Sequence, residues 1–296
     1  MREEKLRYVD GLVPLSASDS LRFGTLWHHG MEAWWLAMRA GSGFGEQLVA
    51  AIQAMRAHAT PETDVFELAR AEVMMEGYSA RWAADHYEVI GVELEFRAPL
   101  VNPETGKRSR TFERAGKLDA LVRDATGRKL IIEHKSSGED VSPGSSFWAR
   151  LRMGGQSSGY IRGAEALGHE VDDVIYDVAR KPQLKPLQAN SRRATAETVD
   201  EYKNRLRAAI AEEPDKHYQR GLVVRLEAQM AEADAEAWQL GQTLREHHRL
   251  QLAPRNTDAC QRYGQTCSYF SLCAGEASVD SFKRLGWVHS ELTKEG

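Results

Sequence analysis

Residues 116–135, G-K-L-D-A-L-V-R-D-A-T-G-R-K-L-I-I-E-H-K, constrain this chain more than any other stretch. They read as a β-hairpin with Asp119 on the first strand and Glu133 and Lys135 on the second. Residues two apart in a strand share a face, so Glu133 and Lys135 point the same way. Asp119 can join them at one end of the two-strand ladder. Two acids and a lysine beside a run of Leu and Ile are costly to bury unless something pairs the charges. A divalent cation would do so. The plainer reading is a solvated hairpin with a cross-strand ion pair, and E-x-K alone is a weak signal.

What surrounds the hairpin sets its fold class. The periodicity predicts helices over 21–40 and 46–58. A third helix is expected to open at Thr60-Pro61 and run to about residue 86. Its apolar side carries Phe66, Leu68, Val73, Met74, Tyr78 and Trp82. Strands follow over 87–100, 108–123 and 129–135, the last two joined by the turn at 124–127. A Ser/Gly loop, a helix over 147–167 and a strand over 172–179 complete the core. The expected architecture is α/β: a helix, a three-strand meander, a helix and a strand, as a mixed sheet flanked by helices. A basic loop follows, with Arg180, Lys181, Lys185, Arg192 and Arg193. Helices are expected over 198–213 and 228–250, the second with Leu240 and Leu244 inside. This divides the chain into a lead-in (1–20), a core (21–200) and a helical region with a cysteine-containing tail packed on the core (201–296).

Composition narrows the function classes. The net charge of −4 excludes a uniformly basic nucleic-acid binder, so any such contact needs a local basic face. No apolar run approaches the roughly 20 residues that span a bilayer. The charged start, M-R-E-E-K-L-R, lacks a signal-peptide core, and a cytoplasmic protein is expected. The three cysteines, Cys260, Cys267 and Cys273, fall in one short window. An odd, clustered set argues for metal or cluster ligation over a disulfide framework.

The order G-x-x-D, turn, apolar run, E-x-K, then Gln156 and Tyr160 as Q-x-x-x-Y on the next helix, resembles the PD-(D/E)XK nuclease superfamily. The likeness is to its RecB-like exonuclease branch, especially the phage-type and CRISPR-adaptation-nuclease-like members. Gln156 and Tyr160 are an i, i+4 pair and share one helix face. The resemblance extends to Gly24-Thr25-Leu26-Trp27-His28, matching a G-T-x-x-H pattern on an early helix. It implies a restriction-endonuclease-like core and a metal-dependent DNA nuclease, an exonuclease in phage recombination, DNA repair or defence. Single-stranded DNA or DNA ends would be the substrate, and Mg²⁺ or Mn²⁺ the cofactor. His28, Asp119 and Glu133 would be its ligands, with the His134 carbonyl as a further oxygen. Lys135 would activate the attacking water or stabilise charge on the phosphate, while Gln156 and Tyr160 border the site. His29 is the rival to His28, but adjacent helical residues lie about 100° apart and both cannot easily face one ion. Glu72 is a further acid within reach of the site, with a solvated face as the plainer reading. The alternative is an inactive nucleic-acid-binding accessory module with the same fold.

The cysteines read C-x6-C-x5-C, with Tyr263, Tyr269 and Phe270 interleaved. Members of this branch often bind a [4Fe–4S] cluster through one N-terminal and three C-terminal cysteines. The C-terminal trio is here, though Cys260 lies farther from Cys267 than in members with a C-x-x-C start. The N-terminal cysteine precedes a segment like Lys5–Gly11, which here begins almost at Met1. A native start upstream, including that cysteine, is therefore expected. The other readings are a degenerate three-cysteine site, zinc with a histidine, or three reduced thiols.

Overall fold

A computed structural model describes residues 2–15, 18–191, 193–262, 265–286, 288 and 292. The chain forms two compact units, each built from separated segments. The larger contains Asp19–Phe96 and Lys117–Leu226. The smaller contains Met1–Ser18, Arg97–Gly116 and Glu227–Gly296.

The larger unit opens with α1 (Asp19–Arg39), α2 (Phe44–His58) and α3 (Val65–Arg81). Strands β1 (Glu88–Val101) and β2 (Arg108–Arg123) carry the chain out of this unit and back. Then come β3 (Lys129–Ser137), α4 (Ser146–Met153), α5 (Gln156–Ala166), β4 (Asp173–Arg180), α6 (Val199–Glu212) and β5 (Tyr218–Val223). The sheet order is β1-β2-β3-β4-β5. β2 and β3 are antiparallel, β3 and β4 parallel, and β4 and β5 antiparallel. This is a mixed sheet, and the meander is the one expected. The parallel β3–β4 pair needs a crossover, which α4 and α5 supply.

Period-two alternation divides the sheet between two cores. Ala120, Val122 and Ile132 face Trp27, Trp34, Trp35, Met55 and Tyr78 of the first three helices. Tyr176, Val178 and Val223 pack on the opposite side with Val141, Phe147 and Trp148.

Three local expectations are corrected. α3 begins at Val65, not after Thr60-Pro61, and ends at Arg81. Its cap is Asp64, whose carboxylate accepts from the amides of Phe66 and Glu67. The helix over 147–167 is two helices. The chain is extended at Gly154 (ψ 141°), whose carbonyl accepts a hydrogen bond from Arg225 Nη2. β5 was not expected at all. It holds Gly221 against Trp148: a Cβ there would sit 2.3 Å from the indole Cζ3.

In the smaller unit, Leu12–Pro14 pairs antiparallel with Phe282–Arg284. Tyr269 is buried there, stacked on Phe282 at 5.4 Å and donating to the Leu12 carbonyl at 2.7 Å. Helix α7 (Glu227–Leu250) carries Asp234, which pairs with Arg114 at 2.8 Å. Leu240 was expected inside but is 51% exposed; Met230 and Gly241 are the buried positions. Gly241 lets Leu100 approach closely.

Candidate metal centre

Antiparallel register brings the hairpin acids together. Ala120 pairs with Ile132, so Asp119 and Glu133 occupy neighbouring positions at the same end of the β2–β3 ladder. Asp119 Oδ2 accepts the backbone N–H of His134 at 2.7 Å. Its other oxygen lies 3.4 Å from His28 Nδ1, which arrives from α1. Burial opposes charge on Asp119, yet contact with His28 and the His134 N–H hold its carboxyl below the usual range. His28 is raised: burial lowers it, and Asp119 more than compensates.

Glu133 is 2% exposed. Its Oε1 accepts from Lys135 Nζ at 2.6 Å and from Gln156 Nε2 at 3.1 Å. Its Oε2 is buried with no hydrogen-bond partner. Burial, and then the charge of Asp119, push this carboxyl up to about 7. Burial disfavours charge on Lys135, but Glu133 beside it holds the lysine as an ammonium, above its ordinary value. α5 closes this side. Gln156 donates both to Glu133 and to the Tyr160 hydroxyl, the latter at 2.8 Å. Tyr160 also packs edge-on against Phe96. Burial raises the Tyr160 phenol, which stays neutral. Ser157 and Tyr176 hydroxyls, 3.1 Å apart, support the same face.

His28 and Asp119 thus form one contact pair, and Glu133, Lys135, Gln156 and Tyr160 a hydrogen-bonded chain at the neighbouring strand position; Glu133 is not in the tight donor group of His28 and Asp119. His29 is turned elsewhere, 3.4 Å from Glu32 and stacked on His58 at 3.6 Å. Beneath the site, on the other face of β3, His134 Nε2 accepts from Trp35 Nε1 at 2.6 Å. Asp177 lies next to it, paired with Arg220 at 3.1 Å and bonded to Tyr78 at 2.5 Å. Burial keeps His134 neutral, with its pKa lowered to about 4.

One residue of the site escaped the sequence reading. Glu93 on β1 has donor atoms within 4.8 Å of those of His28 and Asp119, the one such group among the described residues. Its backbone sits at φ +51°. Val89 and Val92 pack on the same core although three residues apart, and buried positions from Phe96 onward are even-numbered. Strict period-two alternation therefore does not run through this strand. In V-E-L-E-F, Glu93 reads as an ordinary strand acid, and no sequence signal marks its positive φ. Burial pushes the Glu93 carboxyl up, against the ion pair with Lys117 Nζ at 2.5 Å.

A carboxylate–imidazole set of this kind fits a hard or borderline divalent cation. The orphaned Glu133 Oε2, in a residue with almost no access to water, is the observation that tests the fit. A cation would satisfy it and relieve the repulsion between Glu133 and Asp119.

One residue read as peripheral is otherwise. Glu72 is not solvated: it is 4% exposed and paired with Arg56, at 2.6 Å, and with Lys203. In the basic loop, Lys181 lies over the Phe23 ring at 4.8 Å. Arg193 pairs with Glu201 at 2.6 Å, and Lys185 is exposed. Arg192 is outside the described residues.

Cys260, Cys267 and Cys273 are free and half-buried. The Cys267 N–H bonds the Cys260 carbonyl at 2.8 Å, and the Cys273 N–H bonds the Tyr269 carbonyl at 2.9 Å. Burial raises the Cys267 thiol. The three supply fewer thiolates than the four of a [4Fe–4S] site, and their sulfurs do not form a tight donor group among the described residues. Tyr263 is outside the described residues. A separate cleft of about 540 Å³, lined by Met38, Phe44, Gln47 and Tyr87, contains none of these side chains.

No protein-family model matches the chain, and no curated protein does. A solved structure described as "Crystal structure of SSO0001" is similar over 85% of this chain and 86% of its own, at 14% identity and a TM-score of 0.34. A likeness that loose carries no argument about function. What the chain shows by itself is an α/β protein whose five-stranded mixed sheet, flanked by helices, gathers two buried carboxylates, a histidine and a lysine at one strand end.

Proposed function

We propose that this chain is a metal-dependent deoxyribonuclease that hydrolyses DNA phosphodiester bonds from an end, with a PD-(D/E)XK core. The observation that carries the reading is Asp119 beside the Glu133–Lys135–Gln156 hydrogen-bond network, which encloses an unpartnered, buried carboxylate oxygen. The sequence order of these residues, with His28 before them and Tyr160 after, supports it.

Asp119, Glu133 and His28 would hold Mg²⁺ or Mn²⁺, and the ion would supply Lewis acidity toward a phosphoryl oxygen and a more acidic water. Everything else is done by side chains. The His134 N–H fixes Asp119 in one orientation. Gln156 and Lys135 fix Glu133 in another. Lys135, held as an ammonium, is suited to stabilising charge that develops on the phosphate rather than to taking a proton. Tyr160, neutral and bonded to Gln156, positions the amide. Contacts of this kind reach phosphates and not base edges, so little base preference is expected. Lys185 and Lys181 are the basic-loop groups suited to the backbone. A role in phage recombination, repair or defence and a cytoplasmic location belong to the same proposal. For membranes, the observation is only that no described helix is long and apolar enough to span one.

The test is degradation of linear, circular and end-blocked DNA in Mg²⁺ and Mn²⁺. Linear DNA is expected to be consumed and circular or end-blocked DNA spared. Glu133→Ala and Lys135→Ala are each expected to lower the rate about 10²–10³-fold with an unchanged circular dichroism spectrum. DNA binding without turnover by the native chain would select the accessory-module reading instead.

A further inference from the structure

We propose that Glu93 is a further ligand of the divalent cation held by His28 and Asp119, and that Lys117 stands in for that cation until it binds. The inference rests on reading Asp119 as a cation ligand, and it concerns two residues that the E-x-K pattern does not contain.

Three facts converge on it. The first is proximity: one donor atom each of His28, Glu93 and Asp119 lies within 4.8 Å of the others, a separation that one ion can close by small side-chain rotations. The second is backbone cost. Glu93 is a non-glycine residue at φ +51° inside a strand, a conformation that costs an L-residue more than the extended one. At that φ the Glu93 carboxylate lies beside Asp119 and His28. The third is charge. Glu93 is mostly buried, and the group balancing it is the Lys117 ammonium at 2.5 Å. Asp119 and Glu133 lie beyond it, and Glu133 Oε2 still lacks a partner. Lys117 and Lys135 each pair with one carboxylate, and Asp119 meets the His28 imidazole where the other two have an ammonium.

Lysine is a fitting substitute for a cation. It is a compact charge on a flexible stem and can leave without rearranging the strand that carries it. When the divalent ion takes Glu93, Lys117 is displaced from it. Its ammonium is then free on the same strand as Asp119, two residues away, where a phosphate brought to the ion would meet it. Cation binding thus does two things at once: it completes the ligand set and frees a positive charge for an anionic substrate.

The two roles predict effects of opposite sign on binding of Mn²⁺ alone, measured by titration calorimetry on the full chain. Glu93→Gln is expected to weaken Mn²⁺ binding by at least about tenfold. Lys117→Met is expected to tighten it by a few fold, because a competing positive charge is gone. Glu133→Gln serves as the control for the shared site. Thermal melting in EDTA shows whether each variant folds as the native chain does. Unchanged Mn²⁺ affinity in Glu93→Gln overturns the ligand assignment, and unchanged or weaker affinity in Lys117→Met overturns the stand-in role. Neither readout needs DNA. Loss of Mn²⁺ binding in Glu93→Gln with no DNA degradation by the native chain would sink the nuclease reading and leave this one standing. Degradation of DNA with Mn²⁺ binding indifferent to Glu93 would do the reverse.

Discussion

At the scale of single residues, the site divides into what periodicity reveals and what it hides. Asp119, Glu133 and Lys135 are legible because strand alternation is exact and the turn at 124–127 fixes the register. Gln156 and Tyr160 are legible because i, i+4 spacing puts them on one helix face. Glu93 is hidden because its backbone leaves the extended region at φ +51°, a departure that period-two spacing does not reveal. Glu72 is hidden for another reason: its partners are distant in sequence, Arg56 on α2 and Lys203 on α6. Burial works against its charge, but the hydrogen bonds from Arg56 and Lys203 outweigh burial and hold its carboxyl below the usual range. A depressed carboxylate stabilises the fold above its unfolded pKa, and that stabilisation is lost as pH falls through the folded value. Glu72→Gln should therefore cost on the order of 2 kcal/mol at pH 7. The gap to the native chain should narrow steadily below about pH 4.5. Urea unfolding at a series of pH values reads this directly, and a gap that widens toward acid would refute it.

At the scale of elements, the strands β1 to β4 and the helices before them follow from alternation and from 3.6-residue periodicity. The failures are instructive. β5 has a glycine in its interior and polar residues at Gln219 and Arg220, so it shows no alternation. It is a strand because β4 offers a paired edge and because Trp148 packs where a side chain at Gly221 would be. The break between α4 and α5 lies at consecutive glycines that the apolar pattern runs straight through. Burial of Trp148 against Gly221 has a measurable counterpart. Gly221→Ala should destabilise the protein by about 1–3 kcal/mol, since the added methyl meets a ring held by its indole N–H on the Val141 carbonyl at 2.7 Å. Chemical denaturation measures it. A change below 0.5 kcal/mol, roughly the scatter of neutral surface changes, would show that the ring moves aside freely.

At the scale of the whole molecule, a contiguous division at residues 20 and 200 misses how the units are assembled. Residues 201–226 supply β5 and most of α6 to the larger unit, and the smaller unit draws on three separate segments. Nothing in local patterning announces a unit made of distant pieces, because each piece is apolar or polar for the sake of partners far along the chain. Leu12–Pro14 needs Phe282–Arg284, and Arg114 needs Asp234. Removing residues 227–296 should therefore leave the 97–116 hairpin and the first eighteen residues without their packing. Limited proteolysis of such a truncation should cut within both segments while fragments spanning Lys117–Leu226 survive. Equal resistance of all three segments would argue that they do not depend on the C-terminal part.

The unpartnered oxygen of Glu133 has a consequence for how this chain can change over generations. A carboxylate enclosed beside a second carboxylate burdens folding whenever no cation is present, and a neutral side chain of the same size would not. Substitutions that remove such a burden are among the easiest routes to a sturdier protein, at the expense of what the site does. Under relaxed selection, drift would meet least resistance at Glu133, and the first descendants to lose the site would be more robust than the parent.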